Sequence, residues 1–558
     1  MPASFQALAE RGGVSPRLAQ LLWLRGIDRP ESLAEYLSPG LRYLARPALW
    51  PGIGQAADIL ARGLRSGGKL AIWGDYDADG VTSTALALQV LRHHGYEALW
   101  HLPDRREEGY GMNAAGVERL AEKGVSLLLT VDCGISDVSA IARARELGME
   151  VVVTDHHLPP EHLPDATVLC NPKLADCPCP SLSGVGVTFF LMAELNARLA
   201  EGGRPRMDMR RTLDLVALGT LADLVELEGQ NRILVKNGLL VLAEAGRPGI
   251  SELKVVCGFA PLASLGAGQV IFSLAPRINA AGRVASAETA LELLCAGDCD
   301  SAADLARRLD GYNTQRRQEE ERITEEAVLQ AEASLNEPAL VIAGKDWNQG
   351  VIGIVASRLV EKYHKPTLVL CADGETLKGS GRSISGFDLH DGLARCAGEL
   401  ESFGGHRMAA GVRVRPERLD AFRAHFFEVV RDVLGPDPVP AVQLIDGELD
   451  FREASNFVFL KELEMMQPFG VGNPEPVFQS PPLLVRRRRL FGQQKNHVLL
   501  ELTDESCNIT LQAKAWRQAQ QFPADMEGRR IRLAYSPGID MYNGAASVDV
   551  RIRDWKMV

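Results

Sequence analysis

Three carboxylates alternate through Asp75-Tyr76-Asp77-Ala78-Asp79-Gly80, which closes the apolar run KLAIWG, and Asp155-His156-His157 closes a later run, VVVT. Carboxylates packed this closely repel one another, and a cation relieves that repulsion. Acidic and imidazole groups at the ends of buried-type strands are costly unless something occupies the space between them. A pair of divalent cations is the economical occupant, and mixed Asp/His ligation suits Mn²⁺ or Mg²⁺ in a hydrolytic pair about 3.5–4 Å apart. Asp132, in TVDCGIS after another apolar run, is the candidate bridge between two ions. Read singly, Asp132 is as well explained as a helix N-cap, and the DYDADG cluster as an exposed acidic turn. Read jointly, five carboxylates and two imidazoles on one edge exceed what capping needs.

A phosphodiester suits such a centre, because its oxygens can lie across both ions. In that chemistry His156 is a ligand, His157 stabilises the charge that builds on phosphorus, and Asp155 supports them; His157 also reads as a purely structural histidine. Loops that could hold further phosphates are Arg105 and Asn113 in LPDRREEGYGMN, Arg277, Asn279 and Arg283 in SLAPRINAAGR, and Ser380 and Arg382 in KGSGRSISG. Gly404-Gly405-His406 is another turn that exposes backbone N–H groups to an anion. Each of these also reads as an ordinary surface loop. Cys133 reads as packing. Cys177-Pro178-Cys179 has no matching pair, so the ten cysteines read as reduced thiols rather than a zinc site. No GxxxxGK[ST] loop occurs, which argues against an ATP-driven motor.

The elements that must position these groups follow from hydrophobic patterning. KLAIWG, ALWHL, SLLLTVD, EVVVTD and TVLCN are short continuous apolar runs separated by helical stretches such as TALALQVLRHHG, the pattern of a parallel sheet covered on both faces. Function in such sheets gathers at the carboxyl ends of the strands, where both opening motifs lie. The helix after DYDADG is expected to begin near Thr82, with Gly80 letting the chain turn into it.

The chain is an α/β protein of several domains: a helical cap over 1–45, a parallel-sheet catalytic domain over 46–235, a helical region with a long connector helix over 236–335, a smaller α/β domain over 336–435, and a C-terminal β-barrel of OB type over 436–558. The charged stretch RRQEEERITEE reads as a solvated face of the connector. Five short strands from PPLLVRRRRL to ASVDVRIRDW build the barrel. Arg486 to Arg489, Lys495, Lys514, Arg529 and Arg530 could track a nucleic-acid backbone there, with Phe491 and Trp516 either stacking on bases or packing in the core.

DYDADG, TVDCG, TDHH and ALGTLAD resemble, in order, the metal motifs of the DHH phosphoesterase superfamily. GSGRS and FGGH resemble its DHH-associated domain, and DRREEGYG, PRINAAGR and the OB-type tail are similar to the bacterial RecJ family. That resemblance implies a single-stranded-DNA-specific 5′→3′ exonuclease releasing 5′-mononucleotides with Mn²⁺ or Mg²⁺, in recombination and repair. It implies metal ligands at Asp75, Asp77, Asp79, Asp132, His156 and Asp223, the last of which spacing alone does not reveal. Arg105, Ser380 and Arg382 would hold a 5′ phosphate. Single-stranded-DNA-binding protein and a RecQ-type helicase are the implied partners of a cytoplasmic monomer.

The net charge of −11 argues weakly against nucleic acid, but Arg486 to Lys556 holds 13 Lys and Arg against 8 Asp and Glu. No run is long and apolar enough to span a membrane, and the N-terminus lacks a signal-peptide pattern. Three rival readings remain: a superfamily phosphoesterase acting on short oligonucleotides or small phosphate esters, a haloacid-dehalogenase-type phosphatase using DADGVT, and a non-catalytic scaffold derived from the DHH fold.

Overall fold

The computed structural model describes residues 3–105, 107–201, 203, 205–437, 439–492, 494–540 and 545–558, with side chains from residue 8 onward. Among them, no helix is long and apolar enough to cross a membrane.

Three helices, α1 (Ala3–Gly12), α2 (Pro16–Leu24) and α3 (Pro30–Leu37), open the chain. Ser15 caps α2 through Leu18 N, with Pro16 at the first helical position. After α4 (Ile53–Arg65) comes a sheet of β1 (Leu70–Gly74), β2 (Ala98–His101), β3 (Leu127–Val131), β4 (Glu150–Thr154) and β5 (Val168–Cys170). Its order is β2-β1-β3-β4-β5 with every pairing parallel. Alternate residues face opposite cores. Leu70, Ile72, Leu129 and Val152 meet α4, α5 (Ala78–His93) and α8 (Gly184–Leu199), while Ala71, Trp73, Leu128 and Val153 meet α6 (Ala114–Glu122) and α7 (Val138–Glu146). That double burial is why these strands read as continuous apolar runs.

Helix α5 starts at Ala78, four residues before the expected Thr82, because Asp77 is its N-cap. Gly80 therefore lies inside the first turn. Its lack of a side chain serves close approach rather than turning, since a Cβ there would sit 2.5 Å from the Asp75 carbonyl oxygen.

The helices α9 (Leu213–Asp223), α10 (Gly229–Ala243), α11 (Pro248–Val256), α12 (Ala267–Gln269), α13 (Ala275–Val284) and α14 (Glu288–Cys295) share the first of those cores, which runs on to Leu309. Leu309 already belongs to α15 (Cys299–Glu332), 34 residues and about 51 Å long. Its charged stretch is not simply solvated. Glu320 is 2% exposed and Ile323, Ala327 and Ala331 are fully buried against the next domain. Trp347 Nε1 donates to Glu326 (2.7 Å), and the Gln330 amide pairs with both the N–H and the C=O of Ala343.

That next domain is a sheet of β6 (Leu340–Gly344), β7 (Thr367–Asp373), β8 (Thr376–Arg382), β9 (Ser402–Gly405) and β10 (Ala409–Val414) in the order β6-β7-β8-β10-β9. Only β6–β7 is parallel. Helices α16 (Ile352–Tyr363), α17 (Leu389–Arg395) and α18 (Leu419–Leu434) cover it.

The C-terminal module begins with β11 (Gly447–Glu448), α19 (Phe451–Ala454), α20 (Phe457–Met465) and β12 (Phe478–Gln479). Then β13 (Leu483–Phe491), β14 (His497–Asp504), β15 (Ile509–Ala515), β16 (Arg530–Asp540) and β17 (Ser547–Met557) pair round into a closed ring through β13–β14, β14–β15, β15–β17, β17–β16 and β16–β13. The opening helices pack here. Leu18 and Leu22 share a core with Phe451, Phe459 and Phe478, and Arg25 pairs with Asp446 at 3.0 Å.

Candidate metal centre and phosphate pocket

The carboxyl ends of β1, β3 and β4 deliver Asp75, Asp132 and Asp155-His156-His157 to one edge. Asp77 Oδ1 accepts from Asp79 N (2.9 Å) and Gly80 N (3.1 Å), so the N-cap contact fixes the direction of its second oxygen. Asp79, in the first turn of α5, accepts from Gly184 N and Val185 N, both 2.8 Å, at the start of α8. A Cβ on Gly184 would fall 2.4 Å from Asp132 Oδ1, so only glycine lets α8 approach this closely. Asp132 itself adopts a left-handed conformation (φ 60), not that of a helix N-cap. Cys133 turns away into the opposite core.

These side chains form three overlapping groups whose potential ligand atoms lie within 4.8 Å: Asp75 with Asp77 and Asp132; Asp79 with His156 and Asp223; and Asp132 with His156 and His157. Asp223 arrives from the end of α9. His156 Nε2 lies 3.2 Å from Asp132 Oδ1 and 3.4 Å from Asp223 Oδ2. Asp75 Oδ1, Asp132 Oδ1 and His156 Nε2 are buried with no hydrogen-bond partner. Buried polar atoms are rarely left so. An all-oxygen-and-imidazole set with two shared members fits two hard or borderline divalent cations.

The electrostatics agree. Burial, then repulsion from Asp77, pushes Asp75 well above the ordinary carboxylate range. Burial, then Asp223, does the same to Asp79, and burial, then Asp79, to Asp132. Burial holds His156 down at about 4, against the pull of Asp223, leaving a neutral imidazole able to ligate. His157 is the opposite case. Burial disfavours its cation, but Asp155 overrides that and lifts it to about 9.

Asp155 is a collector of N–H groups. Its Oδ2 accepts from Ile135 N (2.9 Å), and its Oδ1 from His156 N (2.7 Å), His157 N (3.0 Å) and His157 Nδ1 (2.7 Å). Burial raises this carboxyl, yet the His157 bond and charge bring it below its ordinary value. Both of its oxygens are taken up in orienting the histidines and the chain beside them.

The phosphate candidates divide. Arg105 lies over the Tyr76 ring at 5.4 Å; burial, then the charge of Arg105, depresses Arg382 and holds Arg283 at about 10. Arg382 Nη1 donates to Ser380 Oγ (3.2 Å) and Gly381 O (2.7 Å). Arg283 Nη1 donates to Gly350 O (2.8 Å), just before α16. Arg105, Arg283, Ser380 and Arg382 thus converge between the two α/β domains. Three cations this close stabilise one another only when an anion joins them.

Other expected residues go elsewhere. Arg277 is held by Asp310 (2.8 Å) and Ser273 O (2.8 Å), inside the helical region. Asn113 caps α6 through Gly116 N and donates to Glu108. Asn279 accepts from Ala78 N (2.8 Å), so it braces the acidic loop rather than facing substrate. Gly405 (φ 138) makes the turn that presents His406, a largely exposed residue whose imidazole is depressed by partial desolvation and then by the charges of His157 and Lys173. Much of the expected barrel groove is already paired. Lys514 meets Asp540 and Asp549, Arg530 meets Glu505, and Arg529 meets Asp525. Trp516 is 52% exposed and packs edge-on to His497 and Phe491 beside a cleft of about 560 Å³. Arg317, Arg358 and Arg517 line that cleft between α15 and the barrel together with Glu320, Glu321 and Glu325, with Arg358 paired to Glu320.

Two neighbours of the histidines carry no spacing signal. Tyr110 Oη lies 3.1 Å from His157 Nδ1, and Lys173 Nζ donates to the His156 carbonyl. A third does carry one. The SGVG stretch at the start of α8 marks a capped, glycine-bearing helix start, and it supplies the amides that hold Asp79.

Comparison with known proteins matches the "DHH family, N-terminal domain" to residues 69–220, the "DHHA1 domain" to 336–432 and the "RecJ OB domain" to 445–554. The single-stranded-DNA-specific exonuclease RecJ of Dickeya dadantii is 39% identical over 96% of this chain and 95% of its own length. Among solved structures, Thermus thermophilus RecJ in complex with Mn²⁺ superposes with a TM-score of 0.84 at 30% identity, covering 100% of this chain and 78% of that one. RecJ of the same organism in complex with Mg²⁺ gives 0.76 at 29% identity, covering 100% and 77%.

Proposed function

The chain belongs to the RecJ family, and from that premise we propose that the edge formed by β1, β3 and β4 hydrolyses the 5′-terminal phosphodiester of single-stranded DNA. The protein is a single-stranded-DNA-specific exonuclease and a metal-dependent hydrolase using Mn²⁺ or Mg²⁺. The observation that carries the site assignment is the sharing of Asp132 and His156 between groups whose buried oxygen and nitrogen atoms lack partners.

Asp75, Asp77, Asp79, Asp132, His156 and Asp223 would hold two divalent cations, Asp132 and His156 each belonging to more than one of the ligand groups. When bound, such ions supply a more acidic attacking water and neutralise charge on the scissile phosphate and the departing 3′ oxygen. His157, held as a cation by Asp155 through Nδ1, would donate from Nε2 to a non-bridging oxygen and stabilise the charge that grows on it. Tyr110 limits the swing of that ring. Arg105, Ser380 and Arg382, with Arg283 behind them, bind the 5′ phosphate. The phosphodiester cleaved is then the next one along the strand, so products are 5′-mononucleotides and the polarity is 5′→3′. The cleft at Trp516 and Arg517 leads the strand in. Activity on short oligonucleotides alone is disfavoured by this second, distant contact surface.

Recombination and repair, a cytoplasmic setting, a monomeric state, and work beside single-stranded-DNA-binding protein and a RecQ-type helicase complete the reading. They rest on the family.

The test is degradation of 5′- and 3′-labelled single strands with Mn²⁺, with 5′-phosphate and 5′-hydroxyl ends compared. Loss proceeds from the 5′ end and favours the phosphorylated strand. Arg382→Ala removes about 1.5–3 kcal/mol of charge-assisted bonding, so the phosphate preference falls roughly 10- to 150-fold. Degradation from the 3′ end, or an unchanged preference in Arg382→Ala, would remove the pocket from the mechanism.

A further inference from the structure

Asp223 is unlike its partners. Its side chain is 23% exposed, against 3% for Asp132 and 1% for Asp79. It ends α9, and the next residue, Leu224, turns left-handed (φ 59) before α10 begins at Gly229. The turn between is held from outside the catalytic domain. Leu227 N donates to Val471 O (2.8 Å), and a Cβ on Gly470 would meet the Leu227 side chain at 2.7 Å.

Val471 lies in the segment joining α20 to β12. Buried Asn473 organises that segment by donating to Met466 O (2.9 Å) and Pro468 O (2.7 Å) and accepting from Tyr36 Oη (2.7 Å). Arg232 of α10 reaches into the same segment. It donates to Gln467 O (3.0 Å), Met465 O (3.3 Å) and Pro468 O (3.4 Å), and also to Tyr36 O (3.1 Å), with its guanidinium 4.1 Å from the Tyr36 ring. A buried cation satisfied by carbonyl dipoles is fixed in direction as well as distance, because each N–H must keep its acceptor.

The path continues inward. Asn231, fully buried, donates to Glu226 O (3.0 Å) and Ser181 O (2.7 Å) and accepts from Ser183 N (3.3 Å). Ser183 caps α8, whose first amides hold Asp79. Hydrogen bonds joined by short stretches of backbone therefore link the C-terminal module to Asp79 and, through residues 224–227, to the end of α9 at Asp223.

We propose that the segment 466–474 of the C-terminal module is a positioning element for the metal centre, holding the Asp223 turn so that Asp79, His156 and Asp223 together can bind their ion. This rests on the metal-binding reading of those three residues. Partners that orient a ligand typically change metal affinity 10–100-fold when removed.

The test is Mn²⁺ titration, by calorimetry and electron paramagnetic resonance, of the full chain and of Asp223→Asn, Asn473→Ala, Tyr36→Phe and the Asp223→Asn/Asn473→Ala pair. The unsubstituted chain binds two ions, and Asp223→Asn weakens one of them. Asn473→Ala weakens that same ion about tenfold, leaves the other unchanged, and adds nothing in the paired variant. Tyr36→Phe, which keeps the ring over Arg232 and loses only one bond, shifts the same ion in the same direction by less, and it decides the matter alone if Asn473→Ala does not fold. Unsubstituted affinity at both ions in these variants, equal weakening of both, or additive effects in the pair would overturn the proposal. Failure of the unsubstituted chain to bind two ions, or indifference to Asp223→Asn, would instead overturn the metal reading beneath it.

Discussion

Replacing Asp155 by asparagine tests the division of labour between the two histidines. Both carboxylate oxygens are in use, one by Ile135 N–H and the other by three N–H groups of His156 and His157. An amide offers one acceptor. With its oxygen toward the histidines, its NH₂ confronts Ile135 N–H, and a buried donor left unpaired costs about 1–3 kcal/mol. The larger effect is on His157, which burial depresses but Asp155, with lesser help from Asp223 and Asp75, lifts from 6.5 to about 9 in the metal-free fold. The pair's contribution to stability is complete below pH 6.5 and fades as pH rises through about 9. Without the carboxylate, His157 returns toward 6.5, so at pH 8 its protonated fraction falls from about 0.9 to about 0.03, roughly 30-fold. At pH 6 the same arithmetic leaves a deficit below about twofold. The assay is kcat on a 5′-phosphorylated single strand at pH 6 and pH 8 with saturating Mn²⁺, beside an NMR titration of the His157 ring in chelated protein. In chelated protein the variant's His157 is about 30-fold less protonated than the parent's at pH 8 and within about twofold of it at pH 6, and the kcat deficit is larger at pH 8 than at pH 6. An equal deficit at both pH values, or a His157 ring still titrating near 9, would show that Asp155 does not keep it charged.

Two further outcomes concern the acidic edge. Asp132→Asn removes one of several mutually repelling buried charges while keeping a residue type that tolerates the left-handed backbone at φ 60, so it melts above the parent in chelator and below it in excess Mn²⁺. Asp132→Ala sacrifices that tolerance, about 1–2 kcal/mol, and melts below the asparagine variant in both conditions while losing exonuclease activity; equal melting of the two would remove backbone conformation from the argument. The rise in melting temperature on adding Mn²⁺ should grow between pH 5.5 and pH 8. Asp75, Asp79 and Asp132 have raised values in the metal-free fold, which is stabilised by their protonated forms and loses that support as pH rises, whereas ion binding requires the protons to leave. A shift that is flat or shrinks with pH in differential scanning fluorimetry would contradict this.

A residue's role is legible in the sequence to the extent that its partners are local. The acidic edge is legible because a carboxylate at the end of a continuous apolar strand must be charged, buried and compensated, and a cation compensates several at once. The start of α5 falls earlier than expected for a related reason. The ligand role proposed for Asp77 masks its capping role, although an aspartate before Ala78 is also an N-cap signal. Asn113 before Ala114-Ala115-Gly116 carries the same signal, and the structure uses it as a cap. Asp223 is reached only by resemblance, since a carboxylate ending an almost wholly apolar helix shows no periodicity that points outward. Arg277 and Arg283 look equivalent in PRINAAGR, yet one meets Asp310 of α15 and the other the Gly350 carbonyl beside α16, contacts that no spacing encodes. The burial of the charged connector is readable in principle, because Ile323, Ala327 and Ala331 recur every four residues beneath the charges.

That connector also sets an indexing rule. Helix α15 is anchored at one end in the core of the catalytic domain and at the other to β6 and Trp347, so the two half-sites are related by a fixed screw of about 100° and 1.5 Å per residue. One added residue near its middle would swing Ser380 and Arg382 to another azimuth, away from Asp132. Seven added residues, close to two full turns, would restore the azimuth but lengthen the rod by about 10.5 Å. Neither would leave the scissile bond one nucleotide from the held phosphate. With the phosphate pocket proposed above, product size is therefore written in the residue count of a helix that never touches the product.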